Sequence, residues 1–438
     1  MDNKERSELT TQFRRFIWSS ILISLSGCLG NVVDGIIVGK LIGPDGVSAI
    51  NLSKPVVQLL FTLSMITASG ASMLVGFALG KKDLRRVRYI YTQSFTINLF
   101  IGILFTFIGL LFPMAAGRLL CSDVNLLVPT TDYLHPMLLG APSYLMMWAI
   151  SIMISVDGSP RLASVAVLAD NILNLSMDLV FIQAFGWGIA GSSLATVTGH
   201  LAGIAIMCLH FRNKDNHLHF SFQHDAPEWG NIISQGAPLA VASVCLTVLL
   251  FSANRIVLVT SGRIGIFVFA VCMNLLQIYN LFLAGTCRTL QTLGAIQIGK
   301  EDKESFRFVM IKAFRFITIA MIITCLFVWL YPQAIAGLFG ADSPEMESET
   351  IHALRIFALS FIPFCYIYAV MIVYKLYGWH KMALFISFAL SLTVIPVLWV
   401  VSRTAPHLLW YSYLIAYSIE IAVIVVLHIL TKKRRVKV

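Results

Sequence analysis

Seven ionisable side chains fall inside long apolar runs: Asp34, Lys54, Asp170, Asp178, Arg255, Arg288 and Glu420. A charge near the centre of a bilayer costs at least ~2.5–3.5 kcal/mol on insertion scales, so it faces a cavity or a partner. Asp170, Asn174 and Asp178 follow one another at four-residue steps, which stacks their side chains on one helical face. Two carboxylates, an amide and the hydroxyl of Thr196 suit a coupling-ion site. Such a carboxylate can load and release a proton, and the same oxygens suit Na+, a hard cation. The plainer alternative is that Asp34 and Asp178 hydrogen-bond neighbouring helices and that Asp170 serves helix packing.

The cations also carry two readings. Lys54 and Arg255 sit outward of their helix midpoints, and Arg288 sits near the inner end of its helix. All three can snorkel to an interface, or they can line a cavity that attracts an anionic or zwitterionic substrate. Glu420, near the centre of the last apolar run, either neutralises one of them or belongs to a buried structural pair. The 29 Phe, 13 Tyr and 8 Trp face lipid or pack between helices, and none stands out.

The elements that hold these residues follow from composition. The chain has 438 residues, 58% hydrophobic and 12% charged, with mean hydropathy +0.81. Soluble chains carry roughly 25% charged residues, so a set of soluble domains is excluded. A spanning helix needs about 20 mostly apolar residues. Twelve such stretches occur, near 16–39, 50–78, 89–112, 132–155, 161–184, 188–210, 232–259, 264–290, 308–331, 351–374, 380–402 and 408–430. The fold class is an all-α polytopic membrane protein. With both termini on one side, that side holds 23 Lys and Arg, against Lys40, Arg118, Arg263 and Arg403 on the other. Cytoplasmic loops carry such an excess, so both termini are expected in the cytoplasm. The net charge of +10 is thereby topological rather than a sign of nucleic acid.

At these depths Asp34 and Asp178 lie roughly 8–9 Å, and Thr196 roughly 5 Å, outward of their helix midpoints at 1.5 Å per residue. The first helix shows no cleavage site and is expected to remain in the mature protein.

The halves repeat. LFPMAAGRLLCSD (111–123) aligns without gaps to LYPQAIAGLFGAD (330–342), at the same offset of 219 that relates LGKKD (79–83) to IGKED (298–302). Asp157-Gly158 meets Tyr377-Gly378 after one indel. Six helices per copy enter the membrane in the same orientation, a parallel repeat of two lobes with a substrate path between or within them. The expected divisions are an N-terminal lobe 1–211, a cytoplasmic linker 212–231, a C-terminal lobe 232–431 and a basic tail 432–438.

An enzyme is not expected. The eight cysteines form no CxxC pair and the ten histidines no HExxH motif, so neither disulfides nor a metal are assigned. His210, His217, His219 and His224 cluster in the central loop, where they are expected to be solvated.

VVDGIIVGKLIG (32–43), GFALGKKD (76–83), NILNLSMDLVFI (171–182) and GIAGSSLATV (188–197) together resemble the multidrug and toxic compound extrusion (MATE) transporters, over all twelve helices. The branch named after the DNA-damage-inducible F proteins is the most similar. The resemblance implies two six-helix bundles, alternating access, and export of organic compounds against a H+ or Na+ gradient. In that branch the ion cluster falls on Asp34, Asn174, Asp178 and Thr196.

The expectation is a monomeric antiporter of a prokaryotic cytoplasmic membrane, with small organic substrates, surrounding lipids, no nucleic acid and no cofactor beyond H+ or Na+. Protonation of Asp34 and Asp178 from outside would remove their demand for hydration, let the first helix repack and expel substrate. The alternative is a flippase for a lipid-linked anionic precursor of the same superfamily, which the intramembrane cations would suit.

Overall fold

Prolines set many of the helix starts. Pro44, Pro113, Pro160, Pro332 and Pro344 each open a helix, where the missing N–H is no loss and φ is already helical. The computed structural model describes residues 3–213, 216–221 and 228–435. No strand occurs among them.

The helices are α1 (Asn3–Leu41), α2 (Pro44–Gly80), α3 (Leu84–Leu111), α4 (Pro113–Leu120), α5 (Val124–Leu139), α6 (Ala141–Val156), α7 (Pro160–Asp178) and α8 (Gly188–Met207). They continue with α9 (Trp229–Gly299), α10 (Lys303–Leu330), α11 (Pro332–Leu338), α12 (Pro344–Leu376), α13 (His380–Leu392), α14 (Val394–Thr404) and α15 (Ser412–Arg435).

Among the described residues nine helices are long and apolar enough to cross a membrane, and α5 with α6, bent by 55°, form a tenth span. One of the nine, Ser243–Ile298, has 56 residues, about 84 Å at 1.5 Å per residue and so enough for two spans. The two meet inside α9 at Gly262, whose φ of 58° and ψ of −149° break the helix; such a backbone is open to glycine and strained for other residues. With α1 over the first apolar run, the twelve spans read from the sequence are accounted for.

The repeat is visible in the backbone. α3 and α10 both have 28 residues and begin 219 positions apart. Asp83 caps α3 by accepting from the Arg86 N–H, and Asp302 caps α10 by accepting from the Ser305 N–H. These are N-cap bonds that satisfy free donors of the first turn. Ahead of each cap stands a left-handed residue, Lys82 (φ 58°) and Glu301 (φ 59°), the two non-glycine residues of positive φ among those described. The short α4 and α11 open on Pro113 and Pro332, again 219 apart. The exposed apolar stripe repeats too: Phe100, Leu104, Phe107 and Leu111 on α3 correspond to Ile319, Ile323, Leu326 and Leu330 on α10. Unpaired apolar stripes at this spacing suit contact with lipid tails.

The chain forms two compact units, one of Ile36–Leu258 and one of Met1–Gly35 with Val259–Val438. These group residues by packing, whereas the lobes expected at 1–211 and 232–431 group them by repeat. In the first unit the core is aliphatic and sulfur-rich, with Val87, Ile90, Met147, Ile154, Ala166 and Ile232 buried together. In the second, aromatic rings dominate: Tyr279 meets Phe361 at 4.6 Å and Phe357 meets Tyr413 at 4.9 Å between centroids. The expected linker 212–231 is described only in part, since 214–215 and 222–227 lie outside the described residues, as do 436–438 of the tail.

Candidate functional site

Within the unit Ile36–Leu258, α7 and α8 pack side by side in opposite directions, so each step of four along α7 meets a step of four backwards along α8. Three polar levels result. At the first, Asp170 Oδ1 lies 3.0 Å from His200 Nδ1, and both residues are buried. At the second, the Asn174 amide donates to Thr196 Oγ1 at 2.9 Å, and the Thr196 hydroxyl donates onward to the Ser192 carbonyl at 3.3 Å. The third register position holds Asp178 and Ser192, both fully or almost fully buried. Directly after Asp178 the chain widens into a π-helical turn, Leu179–Ala184, a feature frequent at functional sites.

Gly199 allows the first level to close. A Cβ at this position would lie 2.5 Å from Asp170 Oδ1 and 2.8 Å from the Asp170 carbonyl oxygen. Small residues let backbones of membrane helices approach in this way. From α6, the Tyr144 ring meets the His200 imidazole edge-on at 5.0 Å.

The remaining sequence candidates are spread more widely. Asp34 lies on α1 in the other unit and is half-buried. The adjacent Gly35 is approached by Phe339 and by the Asn274 side chain. Lys54 is half-buried on α2, and Arg255 and Arg288 are exposed on α9. Glu420 is 2% exposed on α15, and neither of its carboxylate oxygens has a hydrogen-bond partner among the described residues. The structure therefore joins Asn174 to Thr196 and supplies Asp170 with a partner, His200, that the sequence reading did not single out. His200 stands four residues beyond Thr196 on the same helical face, a spacing that does not by itself separate it from a packed histidine. Asn51 was also missed; its side chain donates to Asn254 Oδ1 at 2.9 Å, and the Asn254 amide returns a bond to the Asn51 carbonyl at 2.8 Å.

One of the loop histidines, His210, corrects the expectation of solvation, whereas His217 is half-buried and His219 is exposed. His210 is 2% exposed; its Nε2 lies 2.9 Å from Asp157 Oδ2 and its Nδ1 2.9 Å from Ser159 Oγ. His217 places Nδ1 2.9 Å from Asp157 Oδ1 and donates its backbone N–H to Oδ2 at 2.9 Å. The cause is the buried Asp157 carboxylate after α6, which has to be compensated and draws the loop onto itself. His224 lies outside the described residues.

Repeated spans with intramembrane polar levels define a class: a polytopic α-helical membrane transporter built on a duplicated six-helix unit. The MatE family model matches residues 19–180 and again 238–400, each match covering one copy of the repeat. The chain thus belongs to the MatE family of transporters. It is 22% identical to the multidrug export protein MepA of Staphylococcus aureus (strain bovine RF122 / ET3-1), over 74% of this chain and 73% of that protein. An inward-facing structure of a multidrug resistance MATE family transporter of the MOP superfamily superposes with a TM-score of 0.82 at 18% identity, covering 95% of this chain and 98% of that one. An outward-facing structure described in the same terms gives 0.69 at 17% identity, covering 97% and 95%. The chain is therefore a multi-pass transporter of small compounds and not an enzyme.

Proposed function

We propose that the protein is a secondary antiporter that exports organic compounds from a prokaryotic cell, driven by entry of H+ or Na+, and that it works as a monomer in the cytoplasmic membrane with both termini inside. The observation that carries the coupling is the Asn174–Thr196 bond, with the buried Asp178 one turn further along α7. An amide, a hydroxyl and a carboxylate at adjacent turns offer several oxygens to a cation and a carboxylate to a proton. Asp34, on α1 in the other unit, is the further carboxylate that the family resemblance implies for coupling. These positions also suit the branch named after the DNA-damage-inducible F proteins. Neutralising an acidic group by H+ or Na+ changes its demand for water or a cationic partner, and that difference between states lets an ion bias one conformation. Efflux rather than lipid-precursor flipping is supported by the similarity to a named multidrug exporter.

Inverted membrane vesicles energised by respiration test the coupling. The wild type is expected to accumulate fluorescent organic cations, and Asp34→Asn to express normally while losing gradient-driven uptake. Full uptake by that variant would sink the mechanism.

A further inference from the structure

The proposed exporter accepts either H+ or Na+, and the pair at the first polar level distinguishes them. Asp170 is 5% and His200 6% exposed, and the His200 Nε2 is buried without a hydrogen-bond partner among the described residues. Native structures leave few buried polar atoms in that state, because each has lost its water without gaining a partner. The Asp170 contact assigns the tautomer: Nδ1 carries the hydrogen and donates to the carboxylate, so Nε2 keeps an unshared electron pair. That nitrogen can take a proton. The imidazolium formed then faces the Asp170 carboxylate at 3.0 Å, which compensates the new charge where it appears. Loss of the same proton restores the neutral ring, and only one N–H bond has been made and broken.

The surroundings are otherwise short of charge. Among the described residues, the elements packed on α7 and α8 carry these titratable groups: Asp132, Tyr133 and His135 on α5, Tyr144 on α6, Arg161 and Asp178 on α7 itself, and Cys208, His210 and Arg212 in the turn that follows α8. Among these, Tyr144 is the ring in contact with His200, and Asp178 stands two four-residue steps away, about 12 Å along the helix. Between the two ends the Thr196 hydroxyl both accepts and donates. An imidazole N–H already occupies Asp170 Oδ1, and the Nε2 lone pair is a poor ligand for Na+ but can bond a proton.

We infer that His200, held in place by Asp170, is a second proton-carrying group of this unit and that H+ is the coupling ion. The inference rests on the exporter reading above. His200→Asn tests it, because the amide keeps an N–H near the Nδ1 position for Asp170 but cannot take up a proton. Purified protein in Na+-free proteoliposomes is assayed with tetraphenylphosphonium and a fluorescent anion as probes, and with trapped pyranine to report proton flux. The wild type is expected to accumulate a probe under an imposed pH gradient with matching proton flux. His200→Asn is expected to keep wild-type exchange of labelled for unlabelled probe at equal pH and to lose both accumulation and proton flux to background.

Wild-type accumulation by a folded His200→Asn variant would overturn the inference. So would loss of exchange together with accumulation in a folded variant, which marks a structural role. Should the variant fail to fold, the wild type decides: accumulation driven by a Na+ gradient without proton flux overturns H+ coupling while leaving the exporter reading intact. Movement of no probe by either gradient removes the exporter reading itself.

Discussion

Asp170, Asn174 and Asp178 matter because a four-residue step on α7 meets the same step on α8. The sequence spacing showed that the three share a face, and Thr196 was legible as their hydroxyl partner; the structure makes that contact at 2.9 Å. His200 was not legible, because a single histidine in an apolar run looks the same whether it packs or titrates. Only the antiparallel register brings it to Asp170. Gly199 is what lets that register close. A methyl there falls 2.5 Å from the Asp170 carboxylate, closer than van der Waals contact allows. Gly199→Ala is therefore expected to push α7 from α8 and to lower stability by about 1–3 kcal/mol, the usual cost of overpacking. Thermal unfolding in detergent checks this, and an unchanged midpoint with normal transport would contradict the assigned role of the close approach.

At the scale of elements, the apolar runs located each span, but not the extensions that start α1 at Asn3 and α5 at Val124, nor the internal breaks. The run at 132–155 is two helices, α5 and α6, bent by 55°, and the pair read at 232–259 and 264–290 is joined through Gly262 without a loop. Hydropathy registers apolar length and is blind to backbone direction. The end of α6 was misjudged for a different reason. Asp157 was visible only as one half of a repeat match to Tyr377, yet it is the buried anchor of the central loop, whereas Tyr377 is 54% exposed. The two copies have diverged there. His210, His217 and the Asp157 carboxylate are bonded over long sequence separations, which no local pattern reveals. Asp157→Ala leaves His210 without its acceptor and removes two bonds to His217, so a loss of about 2–4 kcal/mol is expected from buried hydrogen bonds to a charged group. Limited proteolysis reads the result directly: faster cleavage within 212–231 is expected, and a wild-type rate would show that Asp157 does not hold the loop.

Across the whole molecule, the duplication is the best-determined feature. The ungapped 219-residue offset was legible in the sequence, and it returns in helix lengths, in the caps at Asp83 and Asp302, and in the left-handed Lys82 and Glu301. It returns once more in the double match of one family model. What duplication does not copy is the chemistry. The Asp34, Asp170, Asn174 and Asp178 positions belong to the first half of the sequence, and the second half offers instead the exposed Arg288 and the buried Glu420. A transporter with duplicated scaffolding and unduplicated acids is expected to load its driving ion through one half. The most direct measurement is gradient-driven uptake into proteoliposomes by the wild type and by Asp178→Asn, over a panel of organic cations and anions with pH and Na+ gradients imposed separately. The wild type is expected to concentrate at least one compound under one gradient and Asp178→Asn to equilibrate it without concentrating it. Undiminished concentration by Asp178→Asn would contradict the account.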